Sequence, residues 1–131
     1  MENEILVWLK RAEEDLGVAR HLMESYYPHP LEIICYLCQQ SAEKAIKAVI
    51  IENGAPGGLP KVHNLSFLLQ QIKNVVSVDE KYYEYADTLT PYGVTARYPN
   101  ELFLEEHHAK TALNYAQEIL HWAKNTLSKE D

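Results

Sequence analysis

Gln39-Gln40-Ser41-Ala42-Glu43-Lys44-Ala45-Ile46-Lys47-Ala48 puts small residues on one side of a helix and a polar stripe on the other. Ala42, Ala45 and Ala48 have little side chain to hold a neighbour away, so another helix, from this chain or a second copy, can pack unusually close. Gln40, Lys44 and Lys47 share one stripe, and Glu43 stands one turn before Lys47, the spacing of a helical ion pair. Two readings of the stripe stand: a solvated face, or the border of a subunit groove that holds a ligand.

Outward from this stretch the apolar set is broad. Leu31, Ile34, Cys35, Leu37, Cys38, Ala42, Ala45, Ile46, Val49 and Ile50 cover more than a single stripe, which predicts a central helix from Leu31 to about Asn53 with Gly54 as its carboxyl cap. Pro28-His29-Pro30 bars a continuous helix on the amino side, because each proline removes a backbone donor and pushes the preceding residue toward extended geometry. Ahead of it, Ile5, Trp8, Leu9, Ala12, Leu16, Ala19 and Met23 recur every three or four positions and predict an amphipathic helix from about Asn3 to Ser25.

The glycine-rich stretch Gly54-Ala55-Pro56-Gly57-Gly58-Leu59-Pro60-Lys61 follows a helix and lacks the Gly-Lys-Ser/Thr ending of a phosphate cradle, so it reads as a connector. Asn64 or Ser66 can cap a short third helix with Leu65, Leu68, Leu69 and Ile72 inward. Asp79 can cap a fourth, with Val78 and Tyr83 spaced as a hydrophobic staple. The pattern lapses between Thr90 and about Leu104, and Ala109, Ala112, Leu113, Ala116, Ile119, Leu120 and Ala123 restore helical period to about Leu127. No segment alternates long enough to predict a strand.

With 131 residues and 47% of them apolar, the chain supports one core, and residues 1–131 read as a single all-α domain. Nineteen acidic against twelve basic side chains give a formal charge of -7, which disfavours charge-driven attachment to nucleic acid or anionic lipid and makes any nucleic-acid contact local. The acidic amino terminus and the lack of an apolar run near the roughly 20 residues a bilayer requires predict a cytoplasmic protein without membrane association.

Cys35 and Cys38 run through a helical pattern without the second pair a four-ligand zinc site needs, and read as reduced core thiols. Glu105 with His108 and Glu118 with His121 have the spacing of carboxylate-bridged metal ligands, yet their separation along one helix keeps them from sharing a site. Neither metal nor cofactor is expected. Tyr82, Tyr83, Tyr85, Tyr92 and Tyr98 surround the fourth helix and the loop after it, where rings can stack on bases or fill a half-buried contact. Arg97 stands beside an aromatic ring and a proline in the most irregular part of the chain; its fixed fork of donors suits phosphate or a plain salt bridge.

The helix-two segment, His63-Asn64-Leu65 with Leu68-Leu69, and Ala96-Arg97-Tyr98-Pro99 resemble the HEPN domain of small prokaryotic proteins. Trp8, Ala12, Asp15 and Leu16 in the first helix, and Ala109, Ala112, Ala116 and Ile119 in the last, extend the resemblance over nearly the whole chain. It implies an antiparallel, up-and-down bundle of about five helices, usually a homodimer, often encoded beside a minimal nucleotidyltransferase with which it forms a two-component system. It also implies either a ribonuclease toxin or a module that binds nucleotide or RNA. On that basis the candidate contacts for nucleotide or RNA are Arg97, Tyr98, Gln40, Lys44, Lys47 and His63.

The nuclease branch of the family follows its Arg, after four to six residues, with a His. Here Arg97 matches the Arg, but the corresponding positions are Leu102, Phe103 and Leu104. Metal-free RNA hydrolysis calls for an acid and a base near neutrality, so this departure favours a noncatalytic module that binds substrate or nucleotide, or regulates, beside a nucleotidyltransferase. The rivals are a ribonuclease toxin with a displaced His and a pure dimerisation scaffold.

Overall fold

Pro28 and Pro30 separate two helices as expected. In the computed structural model, which describes residues 3–54, 59–94 and 103–130, α1 spans Asn3–Ser25 and α2 spans Leu31–Glu52. At the end of α2 the Asn53 side chain donates to the Val49 carbonyl at 2.8 Å, and Gly54 turns the chain away at φ +60°, a conformation side chains disfavour. Helix α3, Leu65–Gln70, begins where the Asn64 side chain accepts the Phe67 N–H. Ser66, the other cap candidate, gives its hydroxyl to Asp87 in the next helix. Helix α4, Glu80–Leu89, is capped by Asp79, and Val78 and Tyr83 are both half-buried against the core.

After α4 the chain keeps more order than its broken periodicity suggests. Thr90–Val94 forms a 3-10 turn, because the Thr90 hydroxyl donates to the Ala86 carbonyl at 2.8 Å and accepts the Leu65 N–H at 3.1 Å. Helix α5, Glu106–Glu130, closes the bundle and extends a few residues beyond the expected end near Leu127. The described residues contain five α-helices and no strand, the all-α class expected. No helix among them is long and apolar enough to cross a membrane.

Helix α2 is the axis. It packs along α1 on one flank and α5 on the other, and also meets α3, α4 and the 3-10 turn. Ala42, Ala45 and Ala48 are fully buried within this chain, and beside them the Ser41 hydroxyl donates to the Ala12 carbonyl of α1 at 2.7 Å. A side chain as short as serine's reaches a neighbouring helix's backbone only where the two helices lie close together. Ile34, Ile46 and Ile50 are fully buried on the same helix, each contributing about 1.5–3 kcal/mol by leaving water. Replacing Ile46 with Ala would open a cavity at the centre at a cost of about 2–5 kcal/mol.

Cys35 and Cys38 are free and buried. Burial pushes the Cys35 thiol up to about 12; burial and the neighbouring Cys35 push Cys38 up as well, opposed in part by Arg20. At pH 8 almost no thiolate forms. Native protein is therefore expected to react with an aromatic disulfide reagent far more slowly than protein in concentrated urea, and rapid native labelling of both thiols would contradict their placement.

Candidate functional site

All four buried polar side chains among the described residues, Gln39, Ser41, Glu43 and Lys47, lie on α2. Three of them converge. Glu43 is 5% exposed and receives Lys47 Nζ on Oε2 at 2.9 Å, Gln39 Nε2 on Oε1 at 3.0 Å and His63 Nδ1 on Oε1 at 2.9 Å. Spacing of four residues brings Gln39, Glu43 and Lys47 one above another on α2. His63 comes from the extended segment before α3, whose backbone is drawn in by a 3.3 Å hydrogen bond from Gln39 Nε2 to the His63 carbonyl.

Burial alone pushes the Glu43 carboxyl up, but the hydrogen bonds from Lys47, His63 and Gln39 and the Lys47 charge outweigh it and hold Glu43 below the ordinary glutamate value of 4.5. The carboxylate is therefore charged at neutral pH. Lys47 Nζ, paired with it, also lies 5.9 Å from the centroid of the half-buried Trp8 ring on α1, a cation–π contact at the edge of the usual range.

The expected polar stripe is real but it is not a solvated face. Lys47 is only 8% exposed, and Gln40 and Lys44 are half-buried, because α1 and the 59–64 segment cover this side of α2. Gln40 joins the network by donating to Gln39 Oε1 at 2.7 Å. Lys44 turns elsewhere, pairing with Asp15 of α1 at 2.5 Å. Among the named candidates, then, Lys47, His63 and Gln40 share one network and Lys44 stands beside it. Arg97 and Tyr98 lie outside the described residues.

Two members of the site escaped the sequence reading. Gln39 bridges Glu43, Gln40 and the His63 backbone, and its spacing to Glu43 was the available signal. Gly93 allows the 3-10 turn to approach that amide: a Cβ there would meet Gln39 Cδ at 2.9 Å, Oε1 at 3.1 Å and Nε2 at 3.2 Å. In the sequence Gly93 is legible only as a helix breaker.

The tyrosines divide differently. Tyr85 of α4 stacks on Tyr115 of α5 with centroids 4.2 Å apart, Tyr82 packs against Trp122, and Trp122 Nε1 donates to the Ser77 carbonyl. Tyr92 is buried, and burial followed by its Cys35 and Cys38 neighbours raises its hydroxyl. Tyr82, Tyr83 and Tyr85 are half-buried, so the rings serve helix packing rather than an open stacking platform. Glu105 precedes α5, where its N–H donates to His108 Nδ1 at 2.9 Å; His121 is exposed at the other end of the helix.

The five-helix bundle around a central α2 defines the class structurally. The chain belongs to the HEPN domain family, whose model matches residues 5–126. A Methanocaldococcus jannaschii protein named "Putative toxin MJ1304" is 30% identical over 141 aligned positions, covering 95% of this chain and 88% of that protein. Among solved structures, TT1696 from Thermus thermophilus superposes with a TM-score of 0.80 at 26% identity, covering 95% of this chain and 99% of its own. ST0689, an archaeal HEPN homologue, gives 0.72 at 28% identity, with 95% and 98% covered. An HEPN domain protein of Thermotoga maritima gives 0.71 at 23% identity, with 92% and 97% covered, and shares the fold.

Removing one partner of a buried ion pair leaves a charge without compensation. Lys47→Ala is expected to lower stability in urea by about 3–5 kcal/mol, while Glu43→Leu combined with Lys47→Met recovers most of the loss. Because the folded-state pKa of Glu43 is depressed, its contribution is fully present above 4.5 and lost as pH falls through the folded value. The stability of wild type relative to the double variant should fall on acidification below that point. A pH-independent difference would count against the pair. Gly93→Ala is expected to cost about 1–3 kcal/mol by displacing the Gln39 amide, and to cost less in a Gln39→Ala background.

Proposed function

We propose that this chain is a noncatalytic HEPN module, a homodimer that binds nucleotide and serves as the substrate-binding or regulatory partner of a nucleotidyltransferase in a two-component system of toxin–antitoxin type. The observation that carries the reading is the missing imidazole. At the motif spacing from Arg97 stand Leu102, Phe103 and Leu104, and Leu104 is packed against the core. His107 and His108, the next histidines, come too late in sequence for the motif, and in the structure His108 Nδ1 accepts the N–H of Glu105 at the start of α5 while the His107 ring lies 4.0 Å from it. Arg97 keeps a donor fork suited to phosphate, and binding can persist where acid–base chemistry has been lost. The charge of -7 favours a partner with a basic surface.

A second reading has one observation in its favour. The M. jannaschii relative carries the name of a toxin, and a ribonuclease toxin would need a displaced His, for which His63, exposed and backed by Glu43, is a candidate. A third, the pure dimerisation scaffold, predicts no ligand.

Purified protein is expected to elute at twice the monomer mass in gel filtration with light scattering, to leave single-stranded RNA intact, and to lose nucleotide affinity in Arg97→Ala. Coexpression with an adjacent nucleotidyltransferase should give a complex that raised salt weakens. RNA cleavage by wild type that disappears in Arg97→Ala and His63→Ala would establish the toxin reading instead. A protein that dimerises yet binds neither nucleotide nor partner would be the scaffold.

A further inference from the structure

His63 has one ring nitrogen fixed and the other free. Nδ1 lies 2.9 Å from Glu43 Oε1, while the side chain keeps 72% of its surface exposed and Nε2 has no hydrogen-bond partner among the described residues. The residue is held at its backbone as well, through the Gln39 amide on its carbonyl. At the ring contact Glu43 can only accept, since Lys47 and Gln39 donate to the same carboxylate and favour its charged form. The neutral imidazole must then carry its proton on Nδ1, leaving a lone pair on Nε2.

We propose, building on the nucleotide-binding reading above, that His63 Nε2 is a preset hydrogen-bond acceptor for a neutral donor of the bound nucleotide, a ribose hydroxyl or a base amino group, and not a contact for its phosphates. A phosphate at a neutral Nε2 would set lone pair against lone pair, with the Glu43 carboxylate only an imidazole's width behind. Lys47 offers the phosphate no donor of its own, because its ammonium is buried and already engaged with Glu43. An O–H or N–H donor meets neither obstacle, and a ring held at Nδ1 and at its own carbonyl gives up little freedom in accepting it. Phosphate recognition then falls to other groups of the site, and His63 reads the sugar or the base.

Calorimetric titration at pH 8 of the four ribonucleoside triphosphates, their 2′-deoxy and 3′-deoxy counterparts, and the 5′-triphosphates of purine riboside, inosine and pyrimidin-2-one riboside, which lack the amino groups of adenine, guanine and cytosine, tests this on wild type, His63→Ala and His63→Gln. Wild type is expected to lose about 2- to 10-fold in affinity for the analogue lacking the recognised donor, the worth of one hydrogen bond. The analogue that loses affinity distinguishes a ribose hydroxyl from a base amino group. His63→Ala should bind all analogues of a given base alike, and His63→Gln, which keeps an accepting oxygen, should retain part of the discrimination. Nitrogen-15 shifts of His63 in the free protein should show Nε2 as the unprotonated nitrogen; a protonated Nε2 in the neutral ring would overturn the proposal whatever the ligand. Equal affinities across the analogues, or discrimination that persists in folded His63→Ala, would overturn it while leaving nucleotide binding intact. No binding of any nucleotide would overturn both.

Discussion

Helix α2 is packed along both flanks, and this covering is the constraint from which the rest of the molecule follows. A helix covered on two sides has little surface left to solvate a charge, yet α2 carries Gln39, Ser41, Glu43 and Lys47 in its buried part. Taking an ion from water costs several kcal/mol even after relaxation, so each such group must meet a partner as the bundle forms. None of the buried side-chain polar atoms among the described residues is left without one. The Ser41 contact with the Ala12 carbonyl fixes the register of α1 against α2, and the Glu43 network fixes where the His63 segment and the 3-10 turn must lie. Apolar packing supplies most of the stability, while these few polar contacts select one arrangement among the many an alanine-rich helix allows.

The fold was legible because its determinants are local. Periodicity placed α1 and α2, the two prolines separated them, and Asn64, Asp79 and Gly54 marked ends that the structure realises through side-chain caps and a positive φ. The site was only half legible. The Glu43–Lys47 pair follows from spacing along one helix, but its burial does not, because burial depends on α1 and the 59–64 segment crossing that face. The His63 contact spans 20 residues of sequence and the Gly93 approach to Gln39 spans more, and no periodicity encodes either. The 3-10 turn was missed for the same reason: besides its local bond to the Ala86 carbonyl, Thr90 is held by the Leu65 amide of another helix, 25 residues away.

Within the family frame, the network also explains how a chain can keep a shaped polar centre without a nuclease motif. Its charges are balanced internally, Glu43 by Lys47 and Lys44 by Asp15, so the centre is stable with no ligand present. What remains most open to solvent is the outer edge of one imidazole. The tyrosines of α4 contribute to a different task, joining α4 to α5 through stacked and tilted rings.

Thr90 shows how such joins affect motion. The first amides of a helix ordinarily lack intrahelical partners and exchange readily with solvent. Here the Leu65 amide at the head of α3 is held by a hydroxyl 25 residues away, and that hydroxyl is itself anchored on the last turn of α4. Fraying of one helix end therefore removes a partner from the other, which couples their opening into one event. Deuterium uptake at Leu65 thus reports the parting of α3 from α4, and two short helices that would be marginal alone behave as a single cooperative unit.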